Sequence, residues 1–369
     1  MDNFPHTQSQ IYLNHAGISP FSFSVKEAII SYVEERHIKN IDNYLSFQSI
    51  IENVYKKIGV LLHTDPLRIC LTPNTSTGLN ILANGYPWKK GDRILLNNQE
   101  FPANIYPFLN CQRHGVEIDY IDNKTPIIDS SDIERALKPN TKLLSISMVQ
   151  FLNGHAIDLV KIGKICKQNN TLFCVDAIQG LGAADLEVEQ IGIDFLSCGS
   201  HKWLMAPEGL GFIYVTNELQ EKLIPSYVGW LGVENPWELL NYDLTFQENA
   251  RRYLTGTMNH IAIAGLNASL EHLASIGYAR IREKIVTNTQ FFLDNFPQLH
   301  WITPQEMRLG IVTFKHPDAE IIHHELNILN TTVSVREGQY LRISPHYYHQ
   351  KEELEKAAIY LEQVLDKLK

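Results

Sequence analysis

The stretch TLFCVDAIQGLGAADLEVEQIGIDFLSCGSHKWL, residues 171–204, contains two short apolar runs, TLFCVD and DFLSCG. Each ends on polar chemistry: Asp176 comes directly off the first and Lys202 closes the second. Runs that are apolar at consecutive positions are what strands covered on both faces require. Five more such runs flank these two: RICLT from Arg68, RILLN from Arg93, VEIDYI from Val116, KLLSISM from Lys142 and GFIYVT from Gly211. Helical segments fall between the earlier ones, so the pattern predicts an α/β fold with a doubly wound, largely parallel sheet. Ser24 with Glu27 and Ser131 with Glu134 have the spacing of the capping box that opens a helix.

The character changes after Trp230. GWLGVENPWELLNYD is rich in aromatics, Gly, Pro and Asn and reads as a long functional loop. Two helical stretches follow from about His260 to Phe296, then strand, helix, strand, strand and a last helix from about Gln350. The expected division is an N-terminal arm (1–20), a large domain (21–255) and a smaller α+β domain (256–369). A chain of 369 residues is long enough for two cores.

The composition excludes several classes of function. A formal charge of −9, from 32 basic and 41 acidic residues, shows no Lys/Arg block that would track a phosphodiester backbone, so nucleic acid is excluded as a partner. Cys70, Cys111, Cys166, Cys174 and Cys198 form no C-x-x-C pair and are odd in number, which points away from disulfides and zinc and toward a reducing cytoplasm. MDNFPHTQSQ lacks the charge and apolar run of an export signal, and no later window is apolar enough to span a membrane.

In open α/β sheets, ligands bind beyond the carboxyl ends of the strands. Three segments place polar groups there. In LTPNTSTGLN, a strand runs into Thr75, Ser76, Thr77 and Gly78 at the start of an apolar helix, where hydroxyls and free N–H groups converge as they do on a phosphate. Asp176 could cap a helix or meet a cationic ring nitrogen, with Gln179 within reach of the same ligand. Lys202 could be an ordinary solvated lysine. Each has a structural explanation when taken alone. Together, an anion cradle, a carboxylate and a lysine at neighbouring strand ends are what binds pyridoxal phosphate and joins it as a Schiff base.

The chain resembles the fold-type I pyridoxal-phosphate enzymes of the class V aminotransferase superfamily, which includes cysteine desulfurases, isopenicillin N epimerase-like proteins, kynureninases and C–S lyases. The resemblance runs from YLNHAGISP at Tyr12 to LRISPHYY at Leu341. It implies a mostly parallel seven-stranded sheet with helices on both faces. It also implies that Lys202 carries the cofactor, Asp176 pairs with the pyridinium nitrogen and Gln179 bonds the phenolic oxygen. Thr75, Ser76, Ser200 and His201 would hold the phosphate. Thr257, in YLTGTMN, would reach the phosphate of a neighbouring subunit, implying a homodimer with shared sites. Arg342 would grip the α-carboxylate of a small amino-acid substrate, with Ala16, Gly17 and Trp230 lining its pocket.

Three positions depart from the desulfurase pattern. Phe101 stands where a histidine is usual; its ring can stack on the cofactor but cannot carry a proton. VREGQYLRIS offers no cysteine to take up sulfur. Phe151 replaces an asparagine that contacts the cofactor oxygen, leaving Gln150 or Asn153 as substitutes. The leading expectation is an aminotransferase. A C–S lyase or amino-acid epimerase is the alternative, and a degenerate cofactor-binding protein without turnover a further one.

Overall fold

The computed structural model describes residues 3–121 and 127–369; the first two residues of the expected arm lie outside the described residues. The chain enters along β1 (Ile11–Tyr12) and two helices, Phe23–Ile38 and Tyr44–Leu62. It then builds a seven-stranded sheet from β2 (Ile69–Thr72), β3 (Arg93–Asn97), β4 (Glu117–Ile121), β5 (Thr141–Ser147), β6 (Leu172–Asp176), β7 (Phe195–Gly199) and β8 (Gly211–Val215). The strand order is β2-β8-β7-β6-β5-β3-β4. Every neighbouring pair from β4 to β7 is parallel, and β8 runs antiparallel to both β7 and β2. All seven strands expected from the sequence are present, within a residue of the expected bounds.

Alternation along these strands shows why they read as unbroken apolar runs. Leu95, Leu144, Phe173, Val175, Leu196 and Phe212 face one core, together with the helix Tyr44–Leu62. Their neighbours Ile94, Leu96, Leu143, Cys174, Phe195 and Ile213 face a second core, built with Leu79 and Leu82 of the helix Thr75–Gly85. A sheet clad on both faces has no polar side to alternate with.

A third core belongs to a separate four-stranded sheet made of β9 (His300–Trp301), β10 (Val312–Lys315), β12 (Ser334–Arg336) and β13 (Tyr340–Ile343). Its order is β12-β13-β10-β9, all antiparallel. Val312, Phe314, Leu341 and Ile343 pack there against Phe292 and Leu293 of the helix Tyr278–Asn295 and against Leu354 and Leu361 of the helix Lys351–Lys367. A two-residue strand β11 (Thr331–Thr332) pairs in parallel with β1, so Ile11 and Leu13 join this core. Among the described residues, no helix is long and apolar enough to cross a membrane.

Two expected helix caps are corrected. The helix Phe23–Ile38 is capped by Ser22, whose Oγ accepts from Val25 N at 3.3 Å, rather than by Ser24. The helix Ser130–Ala136 is capped by Asp129, reciprocated by Asp132, and not by Ser131 with Glu134. In the first case Phe23 N already bonds Asn3 O at 2.9 Å, which fixes where the helix starts.

Candidate active site

The site is built where β2, β6 and β7 end. Ser197 Oγ, on β7, donates to Thr75 O at 2.9 Å, which pins the start of the helix Thr75–Gly85 against the sheet. Asn74 caps that helix, its Oδ1 accepting from Thr77 N at 2.8 Å. Beyond β7 the chain turns sharply: Met205 N donates to Lys202 O at 2.9 Å and Met205 adopts a positive φ of 52°. The fully buried Trp203 anchors this turn, its indole N–H donating to Gln179 Oε1 at 3.0 Å. Gln179 Nε2 in turn donates to Ala16 O at 3.0 Å, which draws the N-terminal arm over the same place.

The result is a cavity of about 300 Å³, small for a ligand site, where about 300–1,000 Å³ is usual. Its walls include Ala16, Gly17, Thr75, Ser76, Phe101, Asp176, Gln179, His201, Lys202 and Arg342. Ten of the residues expected from the sequence are thus brought together.

Burial dominates the electrostatics. It pulls the Lys202 amine down from the ordinary lysine value; Asp176 opposes that pull, and Arg342 and Arg336 add to it. Burial pushes the Asp176 carboxyl up, against the bond that its Oδ1 accepts from Ile178 N at 3.0 Å. The charge of Glu100 adds to the rise of Asp176, and that of Lys202 opposes it. The His201 ring is pushed toward its neutral form, by burial first and then by Lys202. Arg342 is almost wholly buried; its Nε donates to Ser334 Oγ at 3.2 Å and its Nη1 to Phe151 O at 2.8 Å. Burial and Arg336 work against its charge, yet a guanidinium stays protonated at any working pH.

Three expected residues lie elsewhere. Ser200 is fully buried and spends its hydroxyl on Pro207 O at 2.6 Å and Leu210 O at 2.9 Å, so it braces the lysine turn instead of facing the cavity. Thr257, expected to serve a neighbouring subunit's site and not this cavity, lines a wider cleft of about 700 Å³ that shares Asn74 and Ser76 with the first. Trp230 stands against Trp237, ring centroids 5.3 Å apart, outside the cavity wall. Neither candidate substitute for the missing asparagine reaches the wall. Gln150 is tied to Asn97 Nδ2 at 3.0 Å and Glu100 Oε1 at 2.9 Å, while Asn153 Oδ1 accepts from His155 N at 3.0 Å. Phe151 occupies the wall itself, edge-on to Phe101.

Two functional candidates escaped the sequence reading. Arg336 lines the cavity, and the buried Glu100 accepts from Ser147 N at 2.9 Å behind Asp176. Arg336 is signalled only by V-R-E-G leading into the strand of Arg342, and its placement needs the hairpin register, Arg336 opposite Tyr340 and Ser334 opposite Arg342.

The donor set fits pyridoxal phosphate. Thr75 Oγ1 is buried with no partner at a helix N-terminus, where an anion is welcome, and Ser76 and His201 adjoin it. Lys202 could supply the amine for an aldehyde, Asp176 the carboxylate for a ring nitrogen and Phe101 a ring for stacking; Lys202 Nζ sits 5.7 Å from the Phe101 ring centroid. Arg342 Nη2 is buried without a partner, open to a carboxylate.

Known proteins agree. The profile of the aminotransferase class-V family matches residues 11–361. The chain is 26% identical to a probable cysteine desulfurase of Methanothermobacter thermautotrophicus, over 98% of its own length and 96% of the relative's. It is also 26% identical to the uncharacterized aminotransferase YcbU of Bacillus subtilis, over 96% and 94%. Among solved structures, the apo cysteine desulfurase of Thermococcus onnurineus superimposes with a TM-score of 0.90 at 23% identity, covering 99% of this chain and 97% of that one. The cystine C–S lyase C-DES superimposes with 0.88 at 23%, covering 97% and 98%. With its family profile matched from arm to final helix, the chain belongs to the class-V aminotransferases, whose cofactor is pyridoxal phosphate.

Proposed function

We propose that the protein is a pyridoxal-phosphate-dependent C–S lyase, acting on an α-amino acid with sulfur on its β carbon and releasing that sulfur without loading it onto a cysteine of its own. One observation carries the second half of this reading: all five cysteines are buried and none lines the cavity. Burial pushes Cys111 up to about 11 and Cys166 up to about 12, and Cys70, Cys174 and Cys198 up as well. A sulfur acceptor must be a reachable thiolate. The names of the relatives support the first half, since the chain resembles proteins called cysteine desulfurases and a C–S lyase.

When bound, pyridoxal phosphate supplies the electron sink that makes the substrate's Cα–H bond acidic. Thr75 Oγ1, Ser76 and His201 hold its phosphate, and Asp176 holds the ring nitrogen in its charged form. The guanidinium of Arg342 fixes the α-carboxylate and so orients the Cα–H bond. Lys202 Nζ, held below the ordinary lysine value by burial, takes that proton. The Cβ–S bond then breaks with its electron pair going to sulfur, and after water adds the carbon skeleton leaves as pyruvate and ammonia. Phe101 and Phe151 shield one side of the cavity without offering a proton.

Transamination, the leading expectation from the sequence, is the second reading. It needs Lys202 alone as proton carrier, and the likeness to YcbU favours it. Purified holoprotein incubated with sulfur amino acids separates the two. Pyruvate with released sulfide or persulfide supports the lyase; an oxo acid that keeps the substrate's side chain, with the amino group left on the cofactor, replaces it by transamination. Lys202→Ala should abolish either product. Homodimerisation belongs to the same proposal. Trp237, Leu239, Leu240 and Tyr242 form a run of exposed apolar side chains in the loop before Thr257, and sedimentation would show whether they are covered in solution.

A further inference from the structure

Arg336 and Arg342 lie on adjacent antiparallel strands, β12 and β13, and both line the cavity that holds Lys202. Arg336 is half-buried and spends Nη1 on its neighbour's carbonyl, Val335 O, at 2.7 Å. Among the described residues, no carboxylate forms an ion pair with either guanidinium. The one carboxylate in the cavity wall is Asp176, whose charge acts on Lys202. Two guanidiniums and an amine therefore share a small cavity with one acid. Charges taken from water without partners are costly, and like charges side by side add to the cost. The arrangement makes sense where anions arrive from outside.

The anions already assigned do not use up these cations. The cofactor's phosphate has its own cradle at Thr75, Ser76 and His201, on the side of the seven-stranded sheet. The substrate's α-carboxylate takes Arg342, whose Nη2 lacks a partner. Arg336 remains. Phe101 and Phe151 give the same cavity apolar walls, suited to the methylenes or sulfurs of a side chain that passes them.

We propose that Arg336 binds a second carboxylate at the far end of the substrate's side chain, so that the enzyme selects α-amino acids with an anionic terminus. This rests on the reading above only in requiring that an amino acid binds beside Lys202. Cystine, which carries a carboxylate on each side of its disulfide, belongs to this class. Its cleavage balances without an enzyme thiol: the Cβ–S bond breaks, the pair stays on sulfur, and cysteine persulfide leaves while the remaining half ends as pyruvate and ammonia.

The test uses holoprotein and two matched pairs of ligands, read by the shift of the cofactor's visible band on titration. L-2-Aminoadipate and L-norleucine differ by a carboxylate in place of a methyl group; cystine and S-methylthio-L-cysteine share a disulfide but not the second carboxylate. A charge-assisted contact should make the anionic member of each pair bind about tenfold to a hundredfold more tightly. Arg336→Gln should collapse that gap, Arg336→Lys should keep part of it, and Arg342→Gln should weaken all four ligands alike. Equal binding within each pair, or a gap that survives Arg336→Gln, overturns the proposal. Pyruvate release is scored separately. A binding gap that depends on Arg336 without pyruvate from either disulfide overturns the lyase reading and leaves this one standing, whereas pyruvate from both at equal affinity does the reverse.

Discussion

Trp203 donates its indole N–H to Gln179 Oε1 at 3.0 Å, and so couples the turn that carries Lys202 to the residue that holds the N-terminal arm at Ala16. Both ends of the Gln179 amide are thereby oriented. Trp203→Phe keeps most of the buried ring but leaves Gln179 Oε1 with no donor, at a cost of about 1–3 kcal/mol. Urea denaturation of the cofactor-free protein should show that loss, and cofactor affinity should fall with it. An unchanged midpoint would mean that the bond does not hold the turn.

Cofactor uptake should carry the signature of the depressed amine. Only neutral Lys202 attacks an aldehyde, so uptake by the cofactor-free protein should rise with pH through a value below that of an ordinary lysine. Asp176 is the main charge holding that value up. In Asp176→Asn the rise should therefore move to lower pH. Stopped-flow absorbance with pyridoxal phosphate measures both curves; a shift toward higher pH would contradict the assigned electrostatics.

Gly182 has a φ of +101°, and a Cβ there would run into the backbone of Trp203. Gly182→Ala combines an unfavourable backbone with a clash against the lysine turn, and should cost about 3 kcal/mol or more. Thermal unfolding checks the stability. The cofactor content of whatever folds checks whether the turn has shifted.

Glu353, which does not line the cavity, gives a second pH handle. Burial pushes its carboxyl up to about 7, and its Oε1 is buried without a hydrogen-bond partner. A carboxyl raised in the folded state stabilises fully below its unfolded value, and that contribution is lost as pH rises through the folded value. Glu353→Gln should therefore gain on the parent protein between pH 4.5 and about 7, by about 1–2 kcal/mol after allowing for the solvent it still meets. Denaturation at several pH values should show the two stabilities diverging. Parallel curves would mean that the carboxyl is better solvated than the geometry indicates.

The sequence made the seven strands legible because both faces of the sheet are buried, leaving runs such as RILLN with no polar interruption. It made Lys202, Asp176 and Arg342 legible because each sits in a distinctive local motif. What it hid depends on contacts between distant segments. Ser22 and Ser24 are equally good caps on paper, and only Asn3 decides between them. Ser200 and Ser76 are both serines beside the site, yet the carbonyls of Pro207 and Leu210 claim the first. Arg336 looks like any charged residue in a hairpin until the register places it beside Arg342.

The parallel pairing of β1 with β11, continued by Ser344 N donating to Leu13 O at 2.7 Å, joins the arm to strands far away in sequence. Closing so large a loop costs entropy, which places these contacts late in folding. Gln179 Nε2 also holds Ala16, so the arm is tied to the end of the large sheet as well as to β11. The lining at Ala16 and Gly17 is thus a late product of folding, set when both anchor points have formed.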